Sequence, residues 1–383
     1  MIKLPIDLSF FKKIKKPKVQ LAVSAGAFLG IDIGTSALKI AELSRAGERL
    51  KLENYGEMKA PSFYEKPFRT FEKTTLLLSS QDVANAIRGI MEEAQIKTSR
   101  VAFSIPDFST FFTAFELPAM TQEEVAQAVE YEARQHVPLP LLDITLDWQI
   151  TAGRPATDKQ KGTPLKILLV AVPNEVVNQY QQIASAAGLK LDAIEAEVFS
   201  FARASASYEK GVVVLVDIGA QSATVSIVEK GMVKLSHSFD MAGAEFTRRL
   251  AQSFHMEYEE AEKIKRQQGL EHSLVAGEQT AQEAQLSVKL ILGPIIDLII
   301  VEIEKISRAF KQEEGKDAEK IILAGGSALL PGLAEYIGYQ VKEEIIISNP
   351  FESLFYPPIL ERHLKAMGPA WAVAIGVAKR GLE

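Results

Sequence analysis

Two nine-residue stretches carry residue types that could take hold of a phosphate chain: Asp32-Ile-Gly-Thr-Ser-Ala-Leu-Lys-Ile40 and Asp217-Ile-Gly-Ala-Gln-Ser-Ala-Thr-Val225, displaced by 185 residues. In each, an apolar run meets a tight turn into a second run. Gly34 and Gly219 let the backbone approach an anion, while nearby N–H groups and the side chains of Thr35, Ser36, Gln221 and Ser222 can donate to its oxygens. The aspartates have the opposite task. A carboxylate repels phosphate, so Asp32 and Asp217 are expected to hold a hydrated magnesium ion that bridges the phosphates through water. One such turn alone also reads as a β-hairpin with an acidic end, and it is the pair that points to phosphate.

A third glycine turn lies in Ile321-Ile-Leu-Ala-Gly-Gly-Ser-Ala-Leu-Leu-Pro-Gly332. Here a strand of buried type runs into Gly325, Gly326 and Ser327, with a helix expected near Pro331. Glycines without side chains would let a flat base or ribose lie against the chain, although a plain strand-to-helix turn has the same spelling. Upstream, the expected helix Tyr258 to Gln268 presents Glu262, Lys265 and Arg266, the first two sharing a face at i, i+3. Taken alone, that pattern is also a solvated helix surface.

The elements that must position these residues alternate between strand and helix. Phe28 to Ile33, Ala37 to Leu43 and Lys51 to Met58 read as a three-strand meander. Gln81 to Ala94 has the period of one helix face. A helix from about Gln122 to His136 carries a capping box, Thr121 with Glu124. Strands are expected at Ile144 to Ile150 and Leu165 to Val172, followed by a helix at Asn174 to Ala187. Gly211 to Val216 opens a second half as Phe28 to Ile31 opens the first, and an internal duplication accounts for both. The expected division is a basic tail (1–25), a first half-domain (26–105 with 165–211), an insertion (106–164) and a second half-domain (212–383) whose residues 243–315 form a smaller helical part.

Composition removes several chemistries. The 383 residues contain no cysteine, so thiolate nucleophiles, thiolate metal sites and disulfides are excluded. The five histidines never stand at the i, i+3 or i, i+4 spacing of paired metal ligands on a helix. Six lysines fall within residues 1–20, whereas the whole chain has a net charge of -6, so a basic tail precedes an acidic body. That balance argues against nucleic acid as partner. Gly-x-x-x-x-Gly-Lys-Ser/Thr, Gly-x-Gly-x-x-Gly and Gly-x-Ser-x-Gly are all missing from the sequence, so phosphate binding rests on the paired turns. Gly293, Pro294 and Asp297 interrupt the greasiest stretch, Leu290 to Ile303, short of a membrane span.

In this order along the chain, the two Asp-x-Gly turns, the Glu-x-x-Lys-Arg helix and the Gly-Gly turn resemble the actin-like ATPase superfamily. Within it the resemblance is to the FtsA/PilM family. It is carried by Gly30-Ile-Asp-Ile-Gly-Thr-Ser-Ala-Leu-Lys39, Leu117-Pro118, Glu130-Tyr-Glu-Ala-Arg-Gln-His-Val-Pro138 and Asp147-Trp-Gln149, and further by Ala261-Glu-Lys-Ile-Lys-Arg-Gln-Gln-Gly269, Leu323-Ala-Gly-Gly-Ser-Ala328, Asn349-Pro-Phe-Glu352 and Gly368-Pro-Ala-Trp-Ala-Val-Ala-Ile-Gly376. The likeness covers about residues 28–380.

The resemblance implies an α/β chain with a duplicated actin-like (ribonuclease H-like) ATPase fold: two half-domains around a nucleotide cleft, and an FtsA/PilM-type inserted subdomain in the first. It implies ATP and magnesium as ligands, with Lys39 and Gly243 joining the turn residues at the nucleotide. It places an acid facing the attacking water at the helix following Ala193-Ile-Glu-Ala-Glu197, where Glu197 is the candidate and Glu195 the alternative; a helix-cap acid reads the same way. Phe351 stands where the family carries an acid near the base, which puts that contact in question.

The partner implied is the cytoplasmic N-terminal tail of PilN, together with other pilus inner-membrane assembly proteins, at the cytoplasmic face of the inner membrane. Phe108, Phe111, Phe112 and Phe115 could line a partner groove or be strand core. Phe10, Phe11 and Ile14 among the lysines of residues 1–20 fit either a peripheral membrane contact or a plain basic tail. A division protein of the FtsA kind and a sugar kinase are the competing readings, and slow ATPase activity is compatible with each.

Overall fold

The computed structural model describes residues 26–60, 70–72, 75–77, 79–157, 160–270 and 288–382; the expectations for residues 1–25 lie outside them. The chain divides into two compact units, Met1–Ala204 with Ser353–Glu361 and Val373–Glu383, and Ser205–Glu352 with Arg362–Ala372.

The first unit begins with the expected meander of β1 (Phe28–Ile33), β2 (Ala37–Ala46) and β3 (Arg49–Lys59). A small hairpin, β4 (Thr70–Glu72) and β5 (Thr75–Leu77), precedes α1 (Ser80–Glu93), which Ser79 caps by accepting from the Asp82 amide. Strand β6 (Arg100–Ile105) runs parallel to β1. Every residue of β1 is buried. This is why it reads as a continuous apolar run with no alternation.

Next come β7 (Phe111–Leu117), α2 (Gln122–His136), β8 (Ile144–Ala152) and β9 (Leu165–Pro173), with β9 central in a separate sheet of order β7-β9-β8. The α2 capping box forms as expected. Val125, Val129 and Ala133 of α2 pack on Leu165, Ile167, Leu169 and Ala171, and Phe111 and Phe115 lie against the same core. The inserted sheet therefore runs through Pro173, past the boundary expected at residue 164. The run Leu165 to Val172 belongs to it because a central strand, flanked on both edges, is itself almost wholly buried. Then α3 (Asn174–Ala187) ends on Gly188 at φ 75°, the left-handed stop that glycine adopts without strain. Strand β10 (Lys190–Ala196) pairs parallel with β6, and α4 (Glu197–Ser205) closes this part.

The second unit repeats the plan. Strands β11 (Val212–Ile218), β12 (Ala223–Glu229) and β13 (Met232–Phe239) form a meander. Helices α5 (Gly243–Phe254), α6 (Tyr258–Gln268) and α7 (Val288–Glu314) follow. Strand β14 (Lys320–Ala324) then pairs parallel with β11, α8 (Leu333–Gly338) comes after a 3-10 turn at Gly326–Leu329, and β15 (Glu344–Ile347) pairs with β14. Helix α7 runs through Pro294, yet no helix among the described residues is long and apolar enough to cross a membrane. Its buried isoleucines, Ile295, Ile296, Ile299, Ile300, Ile303 and Ile306, fill the core of this unit against β11 and β12.

The chain ends with β16 (Leu354–Phe355), parallel to β3, then α9 (Glu361–Met367) and α10 (Ala372–Arg380). Gly30 is obligatory against α10, since a Cβ there would lie 2.3 Å from the Ala378 nitrogen. Sheet orders β10-β6-β1-β2-β3 and β15-β14-β11-β12-β13 are the same order in two copies, the first extended by β16. The duplication visible in nine residues extends to five strands.

Candidate functional site

The predicted site residues fall into two groups, one per unit. In the first unit the turn is set by Gly34, whose amide donates to the Ala37 carbonyl at 2.9 Å, and by the closing pair Ile33 and Leu38. Asp32 and Lys39 are register partners, so their side chains leave the same face, with Lys39 Nζ 3.9 Å from Asp32 Oδ2. Ser104 Oγ donates to Asp32 Oδ1 at 3.0 Å from the neighbouring strand β6. Thr35 is buried and Ser36 exposed. Sequence reading missed Ser104, and nothing in its local spacing marks it; only the parallel register of β6 with β1 brings it beside the aspartate.

Glu197 is the first residue of α4. Ala196 before it has no capping side chain, and Asp107 supplies the cap from 91 positions away, its Oδ1 accepting from the Val198 amide at 3.0 Å. Asp107 was likewise not anticipated. Glu195, the alternative to Glu197, is corrected to a structural acid. It is buried and accepts from Ser200 Oγ at 2.5 Å, from Arg203 through both of its terminal nitrogens and from Arg380 at 2.7 Å. Burial pushes its pKa up, but the two guanidiniums and Ser200 outweigh that and hold it below the ordinary value.

In the second unit the turn has the same geometry, with the Gly219 amide donating to the Ser222 carbonyl at 3.0 Å and Ile218 paired with Ala223. The Gly219 carbonyl accepts from the Gly243 amide at 3.1 Å and from Ser327 Oγ at 2.8 Å, and the Ala220 carbonyl accepts from Ala244 at 2.7 Å. Turn, start of α5 and Gly-Gly segment are thus fastened to one another. Gly243 is forced by that closeness: a Cβ would lie 2.3 Å from Ser327 Oγ.

The two glycines of the third turn differ. Gly325 has φ 86°, and a Cβ on it would lie 2.3 Å from the Ile218 carbonyl and 2.4 Å from Asp217 Oδ1. It is small because the end of β11 passes there. Gly326 has open space where its Cβ would stand, and it alone of the pair leaves room for a flat group.

Lys265 is buried, and its ammonium donates to the Gly243 carbonyl at 2.9 Å, Thr247 Oγ1 at 2.7 Å and Glu262 Oε2 at 2.6 Å. Its three protons are matched by protein acceptors. Glu262 also accepts from Thr247 at 2.5 Å and from Arg266 Nε at 2.6 Å, while the Arg266 side chain remains 66% exposed. Burial draws the Lys265 pKa below the ordinary lysine value against the pull of Glu262. Burial raises Glu262 less than its hydrogen bonds from Lys265 and Thr247 lower it, so the carboxylate is held below the usual range.

Three buried acceptors of this unit, Gln221 Oε1, Gln268 Oε1 and Asn349 Oδ1, find no donor among the described residues. An orphaned amide oxygen in the phosphate-type turn suits a water or hydroxyl donor. Phe351 is fully buried against Trp371, with ring centroids 6.3 Å apart, which makes it a core residue at the position where an acid would meet a base.

Solved structures share this fold. The chain is similar to one described as "PilM-PilN type IV pilus biogenesis complex", at 23% identity and TM-score 0.76 over 93% of this chain and 98% of that one. It is similar to the ethanolamine utilization protein EutJ from Carboxydothermus hydrogenoformans, at 14% identity and TM-score 0.55 over 93% and 90%. A third likeness is to the MamK double helical filament, at 14% identity and TM-score 0.51 over 93% and 99%. Together with the repeated sheet order, these establish the duplicated actin-like fold. A model of the family described as type IV pilus assembly protein PilM matches residues 30–382, and the chain belongs to that family.

Proposed function

We propose that this chain binds ATP with magnesium and serves type IV pilus assembly as a nucleotide-dependent adaptor at the cytoplasmic face of the inner membrane, where it takes the short tail of a PilN-type membrane protein. The observation that carries the nucleotide reading is the pair of acidic glycine turns of one geometry, the Gly34 amide closing on Ala37 after Asp32 and the Gly219 amide closing on Ser222 after Asp217, with the space beside Gly326 open.

Asp32, Gly34, Thr35, Ser36 and Lys39 are the phosphate-binding residues we assign in the first unit. In the second we assign Asp217, Gly219, Gln221, Ser222, Gly243 and Ser327 to phosphate, and Glu262, Arg266 and Gly326 to the nucleoside. Lys265 and Gly325 serve by holding that frame. No group of three or more His, Cys, Asp or Glu side chains gathers among the described residues. Magnesium would therefore take its oxygens from phosphate and water, with Asp32 and Asp217 anchoring that water. When bound, the ion would neutralise phosphate charge, and Glu197, at the start of a helix fixed by Asp107, is the acid we assign to a water if ATP is cleaved.

Because the chain shares its fold with a PilM solved in complex with PilN, a PilN-type tail is the partner we assign. ATP would act on it by differential affinity for conformations of the chain. Calorimetric titration of MgATP should show binding to the wild type and at least about tenfold weaker binding to Asp32→Ala and to Asp217→Ala, a loss of about 1.4 kcal/mol each. Wild-type affinity in both variants refutes the site. A PilN tail peptide titrated with and without nucleotide should bind with different affinities, and absence of binding refutes the adaptor role.

A further inference from the structure

Helix α6 carries one aromatic side chain, and it stands on the face assigned above to the nucleoside. Tyr258, Glu262 and Arg266 follow one another at i, i+4 and i+8, so they leave the helix on one side, about 6 Å apart from turn to turn. At 44% exposure, Tyr258 is a large apolar side chain left at the surface.

Its hydroxyl is already spent. The phenol is hydrogen-bonded to Thr247, the buried hydroxyl of α5 that also accepts from Lys265 and donates to Glu262. Burial pushes the phenol pKa above its ordinary value, so the group stays neutral and keeps that bond. Lys265 reaches on to the Gly243 carbonyl, and the Gly243 amide and the Ser327 hydroxyl both donate to the Gly219 carbonyl. Tyr258 thus ends a network that runs from the second acidic turn to the surface of α6. Its polar atom points into that network, and its ring is what remains for a ligand.

The other residues assigned to the nucleoside leave one need unmet. Glu262 and Arg266 are charged and hold each other through Oε1 and Nε, which suits ribose hydroxyls. Gly326 supplies bare backbone and open space. A base also has a flat apolar face, and a tyrosine ring held at one edge is a rigid surface of the same shape. We infer that Tyr258 is the stacking platform for the base in the nucleotide site proposed above, a role that depends on that reading, and that it makes the site prefer a purine nucleotide to a pyrimidine one. The larger bicyclic ring covers more of the tyrosine face than a single ring does.

The test is calorimetric titration of the full chain with MgATP, MgUTP and magnesium tripolyphosphate, the last offering phosphates without a nucleoside. The wild type should bind MgATP at least about threefold more tightly than MgUTP. Tyr258→Leu should lose at least about fivefold in MgATP affinity and narrow the ATP-to-UTP ratio, with tripolyphosphate affinity unchanged. Tyr258→Phe keeps the ring and should keep the ratio. In Tyr258→Trp, the emission added over wild type should change on MgATP and not on tripolyphosphate. Wild-type MgATP affinity in Tyr258→Leu, or an unchanged ratio, overturns the proposal. So does an equal loss toward all three ligands, which marks the phenol as part of the frame alone. A wild type that binds tripolyphosphate as tightly as MgATP overturns the base contact and leaves the phosphate turns standing, whereas a wild type that binds none of the three refutes the nucleotide reading itself.

Discussion

Lys265→Met tests the architecture of the second unit most directly. Methionine keeps the apolar stem of a side chain that is 10% exposed and removes only the ammonium. The Gly243 carbonyl, Thr247 and Glu262 then lose their shared donor. Breaking a buried pair costs about 3–5 kcal/mol, and the lower end applies here because Glu262 keeps Arg266 and is itself 24% exposed. An expected loss of about 3 kcal/mol corresponds to roughly 100-fold faster opening of α5, at about 1.4 kcal/mol per factor of ten. Two units need not unfold as one, so the suitable assay is native-state hydrogen exchange at the amides of Gly243–Phe254, followed by MgATP titration. Exchange within twofold of wild type, together with a large loss of ATP affinity, would refute the reasoning: the ammonium would then be a ligand contact and not a strut.

The remaining predictions concern the frame and its acids. Gly325→Ala should cost about 3 kcal/mol, because its Cβ meets the Ile218 carbonyl at 2.3 Å with φ at 86°, whereas Gly326→Ala should cost less than about 1 kcal/mol and act on nucleotide affinity instead; urea unfolding beside calorimetry separates the two. Ser104→Ala should cost about 1–2 kcal/mol by removing the donor to Asp32 and should weaken MgATP binding, both read by thermal shift with and without ligand. Glu195 and Glu262 have folded pKa values below the ordinary 4.5, so their stabilisation is complete above that value and is lost as pH falls through the lowered values; acid titration followed by circular dichroism should show unfolding on that limb. Glu195→Gln should cost about 3–5 kcal/mol at neutral pH by leaving Arg203 and Arg380 without their carboxylate, and it should flatten the acid limb.

What the sequence made legible was whatever local spacing encodes. The Asp-Ile-Gly turns were readable because the chain direction, the glycine and the following strand all lie within nine residues, and the capping box at Thr121 because its two partners are three residues apart. The functions of Gly325 and Lys265 were not readable in the same way, since each is decided by contacts with segments 18 to 108 positions away. Glycine at 325 spells equally a bed for a base and a gap for a passing strand, and what separates them is that a Cβ there would lie 2.3 Å from the Ile218 carbonyl and 2.4 Å from Asp217 Oδ1. Glu195 and Glu197 are likewise two residues apart in one motif, and burial by Arg203 and Arg380 alone assigns the first to structure.

The duplicated sheet explains why distant residues could substitute for local signals. In each unit the first strand carries the aspartate, and the parallel strand beside it brings its own carboxyl end, with the residues that follow, to the same end of the sheet. Strand β6 delivers Ser104 and then Asp107; strand β14 delivers Gly325 and Ser327. The β6 residue next in register after the Ile31–Phe103 pair is Ser104, level with Asp32, whereas the β14 residue level with Asp217 is Ala324, so a hydroxyl in one unit stands where the other has a methyl group. A duplication that conserves strand order while changing the occupant of one slot yields two acidic turns with different neighbours, so Asp32 and Asp217 should not be interchangeable. Asp32→Asn keeps an acceptor for Ser104 but gives up the charge 3.9 Å from Lys39 Nζ, and it should weaken MgATP binding by calorimetry; unchanged affinity would show that the neighbours of this turn do not govern it.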